Sequence, residues 1–210
     1  LAALLLACQL FVITAYGKPD WPNDVGILAE SGIVMDMDSG AVLYGQNIHV
    51  AHPPASITKI LTALVVLENC QLDEMVEFSE TAVNSVESDS GNKLGSVAGD
   101  QLSVEDCLYG MMLVSSNQAA NALAEHVAGS ISGFVDLMNE KAAELGCEES
   151  HFDNPSGLNG DTQYVTAYDM ALISRAAFQN ETLLEISSTL SRKLGPTTNY
   201  PGGITVENEH

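Results

Sequence analysis

A pair of adjacent prolines, Pro53-Pro54, divides the first half of this sequence into an extended part and a helical part. Proline lacks a backbone N–H and has a fixed φ. A pair of prolines therefore ends a β-strand and is favoured at the start of a helix. The apolar run from Ala55 to Glu68 follows at once and predicts one helix that ends near Asn69. The chain is therefore expected to change from strand to helix at this point.

The segment before the prolines has the pattern of a β-hairpin. Residues 31–37 alternate as a half-buried strand does, Asp38-Ser39-Gly40 is typical of a tight turn, and residues 41–44 form the returning strand. A sheet of two strands is barely stable by itself. We therefore expect further strands, and we expect them outside these 210 residues.

The remainder of the sequence is predicted to be mostly helical. Ser103 begins a pattern that resembles a capping box, and Gly129 and Gly146 close two later helices. The segment Asn154-Pro155-Ser156-Gly157 has turn chemistry, and residues 195–210 have no clear pattern. The predicted helices span residues 103–114, 118–128, 132–145 and 166–178.

Composition excludes several classes of partner. Hydrophobic residues make up 46% of the chain and charged residues 17%, which is typical of a globular protein. The chain has 28 acidic and 7 basic side chains, for a formal net charge of -21. Such a surface repels nucleic acid and gains nothing from anionic lipid headgroups, so we expect neither as a partner. Acidity that keeps an exported protein soluble is the simpler interpretation.

The first fifteen residues are apolar and uncharged, about the length of a signal-peptide core and shorter than a membrane span. Small residues at Ala15 and Gly17 allow cleavage before Lys18. We therefore expect residues 1–17 to be a signal peptide whose n-region is missing, and we expect an extracytoplasmic protein. A lipoprotein cleaved at Cys8 is the alternative that this segment leaves open.

Three cysteines lie beyond the predicted cleavage site: Cys70, Cys107 and Cys147. An odd number cannot form a fully paired intramolecular set of disulfides. Each cysteine lies in or near a predicted helix, so we expect buried free thiols rather than a nucleophile.

The segment Ser56-Ile57-Thr58-Lys59 carries the candidate chemistry. Residues three apart on a helix share a face, so the Lys59 amine can reach the Ser56 hydroxyl. A serine hydroxyl becomes a good nucleophile when a neighbouring base takes its proton, and a buried amine can serve as that base. A second Ser-x-x-Lys, at Ser90 to Lys93, lies in a Ser/Gly/Asn stretch that predicts a loop, so we reject it. The alternative for Ser56 is a purely structural role as a helix cap, with the Lys59 side chain in solvent.

Four further segments join the run from Pro54 to Leu64 that contains Ser56: Ser115-Ser116-Asn117, Phe134 to Asn139, Asn154 to Leu158 and Thr166 to Ala171. Together the five segments resemble the serine D-Ala-D-Ala carboxypeptidases, the low-molecular-mass penicillin-binding proteins. The resemblance covers roughly residues 30–178 and follows the family's order along the chain.

The resemblance implies a role for each matching residue. Ser56 would form the acyl-enzyme bond, and Lys59 would accept its proton. Ser115 would relay a proton to the leaving D-alanine, and Asn117 would hold Lys59 and bind the substrate amide. A plain N-cap pair is the alternative for Ser115 and Asn117, because both residue types favour that position.

The implied fold is α+β and three-layered, like the β-lactamases and transpeptidases: an antiparallel sheet flanked by helices beside a mostly helical lobe. The implied substrate is the D-Ala-D-Ala end of a peptidoglycan stem peptide, and β-lactams would be covalent inhibitors. A serine β-lactamase is one alternative, although residues 154–160 contain no glutamate to activate a deacylating water. A non-catalytic penicilloyl-binding sensor or a spore-wall accessory protein is another. Carboxypeptidase and endopeptidase preference cannot be separated from sequence, because cleft shape decides which peptides fit.

The family's third motif, Lys-Thr-Gly, does not occur in these 210 residues. In the family it binds the terminal carboxylate of the substrate, and its strand gives the second oxyanion-hole N–H. We therefore expect residues 18–210 to be a catalytic domain truncated before that strand, and a poorly active fragment by itself. Membrane association through a missing C-terminal region is possible in this family.

The pair His49 and His52 is weak evidence for a metal site, because no third ligand follows at a suitable spacing. The sequence therefore predicts no metal and no cofactor.

Overall fold

The computed structural model describes residues 26–85, 94–158 and 160–209. The chain divides into two units, residues 1–30 and residues 31–210. Of the first unit, the described residues 26–30 contain neither helix nor strand. The predicted signal segment with Cys8 and the second Ser-x-x-Lys at Ser90 to Lys93 lie outside the described residues.

The predicted hairpin is confirmed. Strands β1 (Gly32–Met35) and β2 (Val42–Gln46) pair antiparallel, with Val34 opposite Tyr44 and an irregularity after Val34. The Arg175 guanidinium fastens the turn between them by donating to the Met37 carbonyl at 2.7 Å and the Asp38 carbonyl at 2.7 Å. These bonds join the hairpin to a helix much later in the chain.

The predicted helices are confirmed to within about two residues at their ends. A short 3₁₀ turn, Ala55–Ile57, leads into α1 (Thr58–Asn69), so Ser56 lies just before the α-helix proper. The next short helix, α2 (Glu80–Asn84), was not predicted. The predicted helices that follow are α3 (Val104–Val114), α4 (Asn117–Ala128), α5 (Ile131–Glu144) and α6 (Ala167–Ala177).

Side-chain caps explain where these helices begin. Ser103, Ser116, Ser130 and Thr166 each accept a hydrogen bond from the backbone N–H three residues later. Such a bond satisfies one of the N–H groups that has no partner inside the helix. At the other end of α4, Gly129 adopts the left-handed conformation with φ 73°, as the sequence predicted for a helix-closing glycine.

The expectation that all further strands lie outside this chain is wrong. Strands β3 (Met75–Glu77) and β4 (Gln101–Ser103) form one antiparallel pair, and β5 (Ser191–Lys193) and β6 (Thr205–Glu207) form another. Helix α7 (Glu181–Ser188) precedes β5 and was also missed. Each of these strands has three residues, which is too few for an alternating pattern to stand out. The described elements confirm the α+β class.

Helix α1 is the centre of the helical part. It packs against α3, α4, α5, α6 and α7. Leu61, Ala63 and Val66 are fully buried there, and so is Phe134 on α5. A helix that is buried on most of its surface holds its first turn firmly, because packed side chains move little. The residues at the start of α1 are therefore rigidly positioned.

None of the helices within residues 26–85, 94–158 and 160–209 has the length and apolar character needed to cross a membrane.

Asp100 ties the C-terminal segment to the body of the domain. Its buried carboxylate accepts hydrogen bonds from the Thr198 N–H at 2.8 Å, the Thr198 hydroxyl at 2.7 Å and the Val97 N–H at 2.8 Å. Burial opposes ionisation, but these bonds outweigh it and lower the pKa of Asp100 below its ordinary 3.8. A carboxylate with a lowered folded-state pKa stabilises the fold above its ordinary pKa and loses that contribution as the pH falls through the folded value.

We predict that Asp100→Asn lowers the free energy of unfolding by about 1–3 kcal/mol at pH 7, because an amide NH₂ would face donors. The deficit relative to the unsubstituted protein should shrink in acid below the ordinary pKa of 3.8. Urea unfolding followed by circular dichroism at pH 7 and pH 3 measures both. Asp136→Asn, at an exposed position on α5, is the control and should change little. An equal deficit at both pH values would contradict the assignment.

Candidate active site

Ser56 lies in the 3₁₀ turn at the entry to α1, with its side chain exposed. The residue before it, Ala55, has a φ of 48°, in the left-handed region that non-glycine residues rarely adopt. Such a conformation persists only where the surrounding structure imposes it, and it is found most often at functional sites. Here it sets the direction of the chain immediately before the candidate nucleophile.

Lys59 lies in the first turn of α1 and is 2% exposed. Its Nζ donates to the Ser56 Oγ at 3.1 Å and to the Ser156 carbonyl at 2.7 Å. The structure therefore brings the predicted nucleophile and base together. The alternative in which Lys59 points to solvent is wrong, because this side chain is buried.

Ser115 approaches Ser56 from the other side. Its hydroxyl donates to the Ser56 Oγ at 3.0 Å. Ser115 ends α3 in the left-handed conformation, with φ 58°, which turns the chain sharply between α3 and α4. The alternative of an N-cap pair at Ser115 and Asn117 is wrong, because Ser116 caps α4 by accepting from the Ala119 N–H at 3.2 Å.

Asn117 is the first residue of α4 and is 3% exposed. The Ser116 cap makes α4 begin at Asn117, two residues after Ser115. The role that the resemblance implied for its side chain, holding Lys59 and binding the substrate amide, stays a prediction.

The loop at residues 154–157 completes the surroundings of Lys59, and the sequence analysis did not include it in the site. The Asn154 Oδ1 accepts from the Ser156 N–H at 3.1 Å and the Gly157 N–H at 2.7 Å, which closes the loop on itself. Thr62 on α1 donates to the Pro155 carbonyl at 2.7 Å and fixes the loop to the helix. These bonds hold the Ser156 carbonyl against the Lys59 amine. A buried amine needs hydrogen-bond acceptors, so the expected burial of Lys59 was the signal that a further acceptor had to lie beside it.

Gly157 is required where the loop meets the nucleophile turn. Its φ is +85°, and a Cβ added to it would lie 1.8 Å from the Ala55 carbonyl oxygen and 2.8 Å from the Thr58 Oγ1. Only glycine permits both this conformation and this approach.

The candidate nucleophile opens onto a cavity of about 390 Å³. Its lining is mostly apolar and includes Ile57, Ile60, Met111, Met112 and Phe178. Its polar lining residues are Ser56, Lys59, Ser115 and Ser187. An apolar pocket with a few convergent polar groups is the usual form of a ligand site.

The cysteines and the predicted histidine pair do not join this arrangement. Cys70, Cys107 and Cys147 are free thiols, as predicted, and Cys107 and Cys147 are buried, but the expectation of burial is wrong for Cys70, which is half-buried. Burial raises the pKa of each thiol, to about 12 for Cys147, which disfavours the thiolate that a cysteine nucleophile needs. His49 and His52 bind different partners, Glu149 at 2.6 Å and Ser31 at 2.7 Å.

Comparison with known proteins identifies the family. The model of the D-alanyl-D-alanine carboxypeptidases, peptidase family S11, matches residues 18–204. The chain belongs to this family. It is 32% identical over 207 residues to the D-alanyl-D-alanine carboxypeptidase DacF of Bacillus subtilis, which covers 94% of this chain. It is 40% identical over 172 residues to DacB2 of Mycobacterium tuberculosis, which covers 81%.

Solved structures agree with the family assignment. The crystal structure of penicillin binding protein 6B from Escherichia coli matches with a TM-score of 0.81 and 31% identity, over 91% of this chain and 61% of that one. The D-alanyl-D-alanine carboxypeptidase of Mycobacterium tuberculosis matches with a TM-score of 0.79 and 36% identity, over 90% and 70%. The transpeptidase-like α+β fold is thereby confirmed. The chain spans 52% and 55% of DacF and DacB2, about half the length of these relatives.

We predict that Gly157→Ala perturbs the nucleophile turn beyond the strain of a left-handed alanine. Gly146→Ala is the matched control, because Gly146 has the same φ of +85° and open space around a Cβ. The control should cost about 1–2 kcal/mol of stability, from conformation alone. Gly157→Ala should cost about 1–3 kcal/mol more, because its Cβ overlaps the Ala55 carbonyl, and it should slow acylation by penicillin.

Thermal unfolding and penicillin labelling measure the two effects. If the two variants were equally stable and were labelled at equal rates, the close approach between Gly157 and the Ala55 carbonyl would not constrain the nucleophile turn.

Proposed function

We propose that this protein is a serine D-Ala-D-Ala carboxypeptidase, which removes the terminal D-alanine from peptidoglycan stem peptides through an acyl-serine. One observation carries the proposal. The Ser56 hydroxyl lies between the Lys59 amine at 3.1 Å and the Ser115 hydroxyl at 3.0 Å, and all three residues line one cavity. Acyl transfer needs a nucleophile, a base and a proton donor for the leaving amine, and this arrangement supplies all three.

Acylation begins with proton transfer from the Ser56 Oγ to the Lys59 Nζ. A neutral amine can accept this proton, and the 3.1 Å contact then runs from the Ser56 hydroxyl to the Lys59 Nζ. The Ser56 Oγ then attacks the carbonyl carbon of the penultimate D-alanine. The Ser56 backbone N–H, at the positive end of α1, is one proposed donor to the developing oxyanion.

Collapse of this intermediate breaks the peptide bond. The leaving D-alanine nitrogen takes a proton from the Ser115 hydroxyl, and the Lys59 ammonium gives Ser115 the proton that it took from Ser56. This transfer bypasses the Ser56 Oγ, which is now acylated and has no hydrogen to relay. Water then attacks the acyl-serine carbonyl, and the same groups move its proton in the opposite sense to regenerate Ser56. In each half of the reaction Lys59 passes on the proton that it accepts, first to the leaving nitrogen through Ser115 and then to the Ser56 Oγ, so the site returns to its starting protonation.

Asn117, Ser56 and Ser115 are the proposed substrate-binding groups. A β-lactam presents a strained amide in place of the D-Ala-D-Ala bond, so it would acylate Ser56 as well. Because the proposed substrate is part of the cell wall, we also propose an extracytoplasmic location. The predicted signal segment at residues 1–17 supports it.

We predict that a labelled penicillin modifies the protein at Ser56, and that Ser56→Ala abolishes the adduct. Lys59→Met removes the base but keeps an unbranched side chain, and it should slow labelling about 10²–10⁴-fold, the usual effect of a lost acid–base group. Lys141→Met is the control: this lysine pairs with Glu68 and Glu144, remote from the cavity, and should leave the labelling rate unchanged. Peptide mapping by mass spectrometry locates the adduct.

The same preparation separates carboxypeptidase from its rivals when it is given a peptide that ends in D-Ala-D-Ala. Release of D-alanine with slow loss of the penicillin adduct supports the proposal. Rapid penicillin turnover would mark a β-lactamase, and a stable adduct without D-alanine release would mark a sensor. An adduct on any residue other than Ser56 would overturn the mechanism.

We predict that neighbouring serines have opposite effects. Ser115→Ala should lower kcat/KM for D-alanine release about 100-fold or more with little loss of stability, because it removes a proton-transfer group. Ser116→Ala should keep most of the activity but lose about 1 kcal/mol of stability, because it removes the α4 cap. Steady-state kinetics and thermal unfolding of both variants make the comparison. Equal activities would show that Ser115 does not take part in the reaction.

A further inference from the structure

A second group of reactive side chains lies at the opposite ends of the two helices that carry the active site. Cys70 follows the last residue of α1, Glu74 lies just before β3, and His126 is in the last turn of α4. A sulfur, a carboxylate oxygen and a ring nitrogen from these three residues all lie within 4.8 Å of one another. We propose that Cys70, Glu74 and His126 bind a zinc ion.

The set of donors suits zinc. Zn²⁺ binds thiolate, imidazole and carboxylate in a tetrahedral arrangement, and three protein ligands leave the fourth position for water. Bonds of 2.0–2.3 Å put tetrahedral donors about 3.3–3.8 Å apart. Separations of up to 4.8 Å would shorten by about 1.5 Å at most, and the 2.9 Å between the His126 Nε2 and the Glu74 Oε2 would lengthen by about 0.4 Å. All three side chains are partly exposed, so an ion can enter from solution.

The backbone holds the group ready for a metal. The Gln71 N–H donates to the Glu74 Oε1 at 2.6 Å, which directs the other oxygen, Oε2, toward the His126 Nε2 at 2.9 Å. An outer hydrogen bond of this kind orients a carboxylate ligand. The Cys70 N–H donates to the Val66 carbonyl at 3.0 Å, and the Val104 N–H donates to the Glu74 carbonyl at 2.8 Å. Both ends of the short Cys70–Glu74 segment are therefore fixed.

A simple His126–Glu74 ion pair is the competing explanation, and it gives the sulfur no role. The chain contains a matched example of such a pair, since the His49 Nδ1 lies 2.6 Å from the Glu149 Oε2. The thiol distinguishes the two cases: zinc binding displaces its proton to solvent and forms a sulfur–metal bond, whereas an ion pair leaves it as a thiol. The formal net charge of -21 favours any cation at the surface, so a test must detect the sulfur itself.

The position of the group links it to the active site. Helix α1 carries Lys59 at its start and Cys70 at its end, and α4 carries Asn117 at its start and His126 near its end. The two helices pack against each other, and at 1.5 Å per residue Cys70 lies about 16 Å from Lys59 along α1 and His126 about 14 Å from Asn117 along α4. A zinc ion would cross-link the C-terminal ends of α1 and α4, the two helices whose N-terminal ends contribute to the active site.

The test is a titration of the metal-free purified protein with Co²⁺, which takes the place of zinc and has a visible spectrum. We expect one equivalent to bind, with a sulfur-to-cobalt charge-transfer band and the d–d bands of tetrahedral cobalt, and we expect Zn²⁺ to displace it. Cys70→Ser should abolish the charge-transfer band. Glu74→Gln and His126→Ala should each weaken Zn²⁺ binding at least about 10- to 100-fold, which is the loss caused by removing even an outer partner of a ligand. His49→Ala, which breaks the matched ion pair, should change neither.

A second readout needs no substitution. Zinc should slow alkylation of Cys70 by iodoacetamide, measured on the Cys70 peptide by mass spectrometry. The proposal is overturned if the protein binds no zinc, if cobalt binds without the sulfur band, or if Cys70→Ser keeps the zinc affinity of the unsubstituted protein. Each of these results would show that His126 and Glu74 form only an ion pair and that Cys70 is not a ligand. None of the readouts depends on the carboxypeptidase activity, so this proposal and the proposed function fail separately.

Discussion

The contact on which the site depends is the one between the Lys59 amine and its two acceptors, the Ser56 Oγ and the Ser156 carbonyl. An amine buried in the first turn of a packed helix must be hydrogen-bonded, because an unpaired buried polar group costs about 1–3 kcal/mol. The loop at residues 154–157 meets this need with a backbone oxygen. Since Thr62 on the same helix donates to the Pro155 carbonyl of that loop, the base, the nucleophile and the acceptor are all anchored to α1.

Two left-handed residues set the backbone around the hydroxyls of the site: Ala55 precedes Ser56, which contacts the amine, and Ser115 contacts the Ser56 Oγ. Each costs about 1–2 kcal/mol relative to an ordinary backbone conformation. The packing of α1 against five other helices and the capped start of α4 hold them in place. Gly157 allows the loop backbone to lie against the Ala55 carbonyl, so the strained turn is held by backbone contact. The strain therefore lies where the structure places the candidate nucleophile and proton relay.

Local signals in the sequence predicted most of the helices and the first hairpin, because caps, glycines and prolines act over a few residues. The meeting of Ser56 and Lys59 also followed from helical spacing. The Ser156 carbonyl could not be predicted that way, because it is a backbone atom 97 residues from Lys59. The short strands β3 to β6 were missed because three residues carry too little pattern. The Cys70, Glu74 and His126 group was missed because the two helices that bring it together are far apart in the sequence.

The crystal structure of the protein after reaction with a penicillin tests the central claim most directly. We expect continuous density from the Ser56 Oγ to the penicilloyl carbonyl carbon, with the Lys59 Nζ still within hydrogen-bond distance of that oxygen and of the Ser156 carbonyl. An adduct on another residue, or a Lys59 side chain turned away into solvent, would contradict the account.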